Sequence, residues 1–135
     1  MHLVAHDIFM EQYRLVTEKY PLIKTSLDKQ LEKAAADPFN AGEQLRLISD
    51  PNLKQKLLKV WVRGEHLPKK KGHRLLYLVV KEKTIVLPFF ISPEPREDFD
   101  YAEYDWEASA KQIYADVMEW KREKLRIFEP WRDAG

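Results

Sequence analysis

The chain reads as an α+β domain: a short N-terminal strand, two helices, three antiparallel strands and a long C-terminal amphipathic helix. Three observations point there. Apolar residues recur at helical spacing up to about residue 36, alternate at a spacing of two from residue 57 to 91, and return to helical spacing after residue 105. Strands grouped between helices in this order, without strand–helix alternation, favour an antiparallel sheet over a parallel one. Length supplies the third observation, since 135 residues suit one hydrophobic core, with residues 3–101 as its body and 105–128 as the last helix.

The elements follow in order. "HLVAH" at residues 2–6 predicts a first strand, with Asp7 as the cap of the helix after it. Phe9, Tyr13, Val16 and Tyr20 then form one apolar face, and Pro21 ends that helix. A second helix over residues 22–36 turns Ile23, Leu27, Leu31 and Ala34 or Ala35 inward. "AAADP" closes it, because the residue before proline is pushed out of helical geometry. Residues 38–52 hold two prolines, a glycine and two asparagines and read as a connection, pinned to the core by Leu45, Leu47 and Ile48.

In "LLKVWVRG", residues 57–64, Leu58, Val60 and Val62 alternate with Lys59, Trp61 and Arg63. "RLLYLVV" and "TIVLPFFI" continue as two strands joined through "KEK". Pro88 donates nothing to a ladder, so its strand is an edge there or is bulged. Trp106, Ala110, Ile113, Val117 and Trp120 then mark the last helix, expected to run to about Phe128. Its stripe docks on the sheet or on a second copy of the chain, as a homodimer.

Composition narrows the function. Without cysteine there is no disulfide framework, thiolate metal site or thiol nucleophile. No apolar run reaches the roughly 18–20 residues of a membrane span, and the first residues lack a secretory signal, so a cytoplasmic protein with no membrane partner is expected. His2, His6 and His66 have no metal-site spacing, and no glycine-rich phosphate loop or serine nucleophile motif occurs, so neither metal nor cofactor is expected. Net charge is only +1, but it is segregated. Residues 54–83 carry ten Lys/Arg against two Asp/Glu, and residues 94–107 carry seven Asp/Glu against one arginine. Such asymmetry gives the surface a directed field, with the basic part a candidate for phosphate binding.

The succession "NLKQKLLKVWV", "GHRLLYLVV" and "TIVLPFFISPEPR" resembles the RelE/ParE superfamily of bacterial toxins, in particular the RelE-like ribosome-dependent endoribonucleases of toxin–antitoxin systems. The resemblance spans roughly residues 3–115, with its motif-like content between residues 54 and 101. It implies a strand, two helices and a three-stranded continuation around a basic groove that holds messenger RNA on the ribosome, with a cognate antitoxin as partner. Lys54 and Lys56 match the lysines opening such a toxin's second strand, Arg74 in "GHRLLY" its strand-start arginine, and Arg96 in "ISPEPRED" the arginine after its last strand. The later tyrosine falls at Tyr101, or less well at Tyr104. Lys59 and Arg63 are alternative groove residues, because a regular strand presenting Lys56 would also present Leu58 and Val60. Lys69, Lys70 and Lys71 form one wall.

Attack by the RNA's own 2′-hydroxyl needs a proton acceptor, cations for the charged phosphorane-like transition state, and a donor to the leaving 5′ oxygen. Arginine suits the second task because its planar fork grips phosphate at two points and keeps its charge. Arg74 fills that task or is an ordinary strand-start cation. Arg96 does the same or pairs with the surrounding carboxylates. His73 is an acid or base candidate, or merely a loop-side histidine. Tyr101 stacks on a base, moves a proton or anchors the last helix, and Trp61 stacks on RNA or packs inside. The same residues also fit a non-catalytic module on that scaffold, either a gyrase-directed inhibitor or a degenerate toxin that binds its antitoxin.

Overall fold

The computed structural model describes residues 1–45, 51–54, 56–64, 67 and 71–132. It is a mixed α and β fold built on a six-stranded mixed sheet. In chain order the elements are β1 (His2–His6), α1 (Asp7–Lys19), α2 (Lys24–Ala36), the one-turn α3 (Pro38–Ala41), β2 (Glu43–Gln44) and the one-turn α4 (Pro51–Lys54). They continue with β3 (Leu57–Val62), β4 (His73–Val80), β5 (Ile85–Ile91), α5 (Trp106–Met118) and β6 (Leu125–Ile127). The strands lie in the order β2-β3-β4-β5-β1-β6.

The sheet is wider than the expected three-stranded continuation. β3, β4 and β5 are antiparallel as expected, but β1 joins β5 in parallel through His2↔Ile85 and Leu3↔Val86, and β2 adds to β3 through Glu43↔Lys59. Part of the connection expected over residues 38–52 is therefore structured. Leu45 is buried, as expected, whereas Leu47 and Ile48 lie outside the described residues. At Pro88 the β4–β5 ladder shifts register, so that Tyr77 opposes Pro88 and Leu76 opposes Phe90. This is the irregularity that a missing N–H imposes.

The two faces of the sheet carry separate cores. On one, Phe9, Tyr13 and Val16 of α1 and Leu27, Leu31 and Ala34 of α2 pack on Leu58, Val62, Leu75, Tyr77 and Val79. On the other, Trp106, Ala110, Ile113 and Val117 of α5 cover Leu57, Leu76, Leu78, Val80 and Leu87. The apolar stripe of α5 is thus buried within its own chain. Each buried Val, Leu or Ile here contributes about 1.5–3 kcal/mol on leaving water.

The C-terminal helix ends at Met118, ten residues before its expected limit. Trp120 adopts φ 53°, in the left-handed region that stops a helix. The chain then returns as β6, antiparallel to β1, with Val4 opposite Ile127 and His6 opposite Leu125. The helical spacing persists past the true end because Trp120 and Phe128 happen to fall on it. The open edge of β1 decides the outcome instead. Among the described residues no helix is long and apolar enough to cross a membrane.

His6, not Asp7, caps α1: its Nδ1 accepts the Ile8 N–H at 3.1 Å. The proton then sits on Nε2, which donates to Oδ2 of Asp116 on α5 at 2.8 Å. Asp116 also accepts from Gln112 at 3.0 Å and pairs with Lys121 at 3.3 Å. Both His6 and Asp116 are buried, and this cluster ties β1 to α5 across the core.

Hydrogen bonding, first from His6, holds the Asp116 carboxyl down at about 2 against an ordinary value of 3.8. Its native charge therefore stabilises the fold above about pH 4, and that contribution disappears as pH falls from about 4 to 2. In thermal unfolding, Asp116→Asn should have a lower Tm than the parent at pH 7, with a gap that narrows over this interval. A gap independent of pH would show that the carboxylate's charge contributes nothing.

Candidate nucleic-acid interface

The strand pairing assembles the site. Trp61 of β3 stands directly opposite Arg74 of β4 on the α5 face of the sheet, near the end of the sheet where α5 begins. The Arg74 guanidinium lies 3.9 Å from the Trp61 ring centroid, a stacked cation–π contact, and Arg63 approaches the same ring at 6.0 Å. Beside this pair is a cavity of about 320 Å³ lined by Asn40, Glu43, Lys59, Val60, Trp61 and Arg74. Its opposite wall comes from the end of α3 and from β2, which the chain can hold so close only because Gly42 lacks a Cβ. That atom would meet the Tyr77 hydroxyl at 2.7 Å and the Lys59 carbonyl at 2.8 Å.

Arg74 is half-buried, and burial pulls its pKa down while the charges of Tyr101 and Glu43 work against the shift. Its Nε and the Tyr101 hydroxyl are both buried and lack a hydrogen-bond partner among the described residues. Burial raises the Tyr101 pKa, with Arg74 opposing. The phenol is therefore a proton donor at neutral pH. Its ring packs on Phe99 at 4.8 Å and Trp106 at 5.8 Å, and its carbonyl accepts the Trp106 indole N–H at 3.0 Å. Tyr101 thus anchors the start of α5 and also reaches the field of Arg74.

The other candidates lie elsewhere. His73 is fully buried on the opposite face, its ring 5.2 Å from that of Tyr20 and its Nδ1–H donated to the Ser92 carbonyl at 2.8 Å. Arg96 is held by both oxygens of Glu103, at 2.5 and 3.2 Å, which keeps its pKa raised. Its backbone pairs with Gly72 in both directions, at 2.9 and 2.8 Å, extending the β4 side of the sheet by one bridge. Lys56 donates to the Tyr114 hydroxyl at 2.9 Å and pairs with Glu82 at 3.4 Å. Five residues before Trp61 along the chain, it is about 16 Å from the Arg74 stack at strand rise. Lys59 lines the cavity, and Lys71 is exposed next to Gly72. The Lys54 side chain, Lys69 and Lys70 lie outside the described residues, as does His66.

Comparison with protein-family models, with curated proteins and with solved structures finds no match for the chain. The cleft is therefore judged on its own chemistry. Arg74 and Lys59 supply fixed positive charge for a phosphate, Trp61 an aromatic platform and Glu43 a carboxylate, while Tyr101, outside the cavity lining, holds a proton within the field of Arg74. Sequence reasoning missed Glu43 and Asn40, because both fall in the segment read as a connection. Trp61 was visible in the alternation that puts it on one face with Lys59 and Arg63.

The Arg74 side of the cleft depends on a close approach at Gly72, where a Cβ would lie 2.9 Å from the Val62 carbonyl and 3.0 Å from Arg63 Cγ. Gly72→Ala should therefore cost about 1–3 kcal/mol in urea denaturation. A variant as stable as the parent would show that the strands part there without penalty.

Proposed function

We propose that the chain is the toxin of a toxin–antitoxin pair, an endoribonuclease of the RelE-like kind that cuts messenger RNA on the ribosome by 2′-hydroxyl attack, without a metal. The observation that supports it most is Arg74, a half-buried cation stacked on Trp61, with an unpartnered Nε, at the rim of an open cavity beside Tyr101. Leaving a buried donor unmet is unfavourable in a free protein and favourable once a phosphate oxygen fills the place.

The reaction assigns one task to each group. The 2′-oxygen attacks phosphorus while its proton passes to the Glu43 carboxylate. Arg74 and Lys59 hold the equatorial oxygens as charge builds on them. The bond to the 5′ oxygen breaks, and the Tyr101 phenol protonates that oxygen, leaving a 2′,3′-cyclic phosphate and a 5′-hydroxyl. Fixed cations aimed at developing charge are usually the largest catalytic contribution. The antitoxin, in this reading, silences the protein by covering the cleft.

A second reading has specific support: a non-catalytic module on this scaffold, directed at gyrase or binding only an antitoxin. Arg96 is committed to Glu103, and His73 is sealed beneath Tyr20 and Ser92, so two of the groups the resemblance would use are engaged elsewhere.

Induced expression in bacteria, with growth and messenger RNA 5′ ends followed together, separates the two. The parent chain should stop growth and create new ends inside translated codons. Arg74→Ala should lower cleavage about 10²- to 10³-fold and Tyr101→Phe about 10²-fold or more. Arg96→Ala should leave cleavage within a few-fold, its fork being already occupied. Arrest with intact message and a DNA-damage response would select the gyrase-directed module. A folded parent that neither slows growth nor cuts message would end the ribonuclease reading.

A further inference from the structure

The far edge of the sheet carries a second surface that the cleft chemistry does not use. β6 ends the strand order, so among the described residues no strand pairs with its outer side. Phe128 donates its N–H to the Leu3 carbonyl at 3.0 Å, and by antiparallel alternation Arg126 also faces β1, which turns the N–H and C=O of Ile127 and the C=O of Leu125 outward, the Leu125 N–H being bonded to the Arg122 carbonyl. Beside this edge, between β6 and the turn leaving α5, lies a groove of about 280 Å³. Val4, Leu125 and Ile127 form its apolar floor and Trp120 a wall. Ile127 is 66 % exposed and Trp120 41 % exposed. Helices commonly end with a glycine in the left-handed conformation, yet here an exposed tryptophan occupies it and lines the groove.

We propose that the β6 edge and this groove receive an extended acidic segment of a partner protein, added to the sheet as a further strand. The outward backbone groups supply the ladder, and Trp120 and Ile127 receive an apolar side chain from alternate positions of the segment. The rim decides the charge of the occupant. Arg122 and Lys124 have no carboxylate within ion-pair distance among the described residues, Lys83 lies 5.1 Å from the Trp120 ring, and Arg126 reaches Asp7 only at 3.4 Å. Of the nearby acids, Glu119 is taken by Lys121 at 3.2 Å, which leaves Glu123. A second copy fits poorly, because antiparallel self-pairing about the middle of β6 sets Arg126 against Arg126. The Arg74 cleft is three strand spacings away, about 14 Å, so a segment seated here leaves that cleft open. The inference holds whether or not the protein cleaves RNA.

The test titrates the isotope-labelled full chain with a short peptide that alternates glutamate with valine and phenylalanine, and with its lysine-for-glutamate counterpart, by two-dimensional NMR and amide exchange. Saturable binding of the glutamate peptide is expected, with shifts at Val4, Trp120 and β6 and slowed exchange of the Ile127 amide. The lysine peptide and Ile127→Pro should each weaken it about tenfold or more, since that proline removes only an outward N–H. Trp120→Ala, with its fold checked by the rest of the spectrum, should weaken it about fivefold or more. Absence of saturation, equal binding of the lysine peptide, or full affinity in both variants would overturn the proposal. Concentration-dependent shifts at β6 without peptide, with a dimer in sedimentation, would assign the edge to a second copy and overturn it equally.

Discussion

The fold depends on β4 being buried on both faces at once. From Leu75 to Val80 every side chain is out of water, alternate ones serving the layer of α1 and α2 and the layer of α5. A strand in that position has a register with no tolerance, since a slip by one residue would exchange the contents of the two cores. Arg74 is where the double burial stops. It keeps its orientation because the next residues along the strand are fixed so firmly, and it keeps partial access to solvent because the layer of α5 does not extend over it.

The acidic stretch proves to be part of this architecture, not an opposing field across the molecule. Asp100 caps the turn that bears Tyr101, Glu103 holds Arg96, and Glu94 bonds Lys19 and Tyr20 on α1. These contacts fasten the passage from β5 to α5 against both helical layers. Along the same passage Phe99 stacks on Tyr104 and meets Tyr101 edge-on, Phe90 packs on Phe99 and Tyr104, and Tyr101 packs on Trp106. The placement of Tyr101 beside Arg74 and the docking of α5 are consequently one packing event, and a loss of aromatic contact at Phe99 or Trp106 would be felt at the cleft as well as in the core.

Period and parity were legible in the sequence wherever an element packs by a regular pattern. The faces of α1 and α2, the stripe of α5 up to Val117 and the alternation of β3 all follow from residue spacing, and Pro88 announced its irregularity. Features set by distant partners were not legible. His6 looked like a strand residue of no consequence until Asp116, 110 residues on, met its Nε2. His73 stands beside a glycine and a lysine run, the company of an exposed loop, yet Tyr20 and Ser92 close over it. Arg96 and Glu103 are seven residues apart in a run rich in carboxylates, where composition alone does not select a partner. Glu43 was hidden because a two-residue strand has no period to read.

The position of β1 gives the molecule an order of assembly. Its two neighbours in the sheet, β5 and β6, arrive about eighty and one hundred and twenty residues after it in the chain. During synthesis the first strand leaves the ribosome long before either partner exists, and α1 and α2 can gather around it only loosely, since the sheet they pack on is still being made. Residues 4–6 gain their hydrogen-bonded neighbour last of all, when residues 125–127 are free to turn back past α5. The final closure of this fold therefore waits for β6, and until it happens the nascent protein offers an incompletely paired first strand to chaperones and to other chains alike.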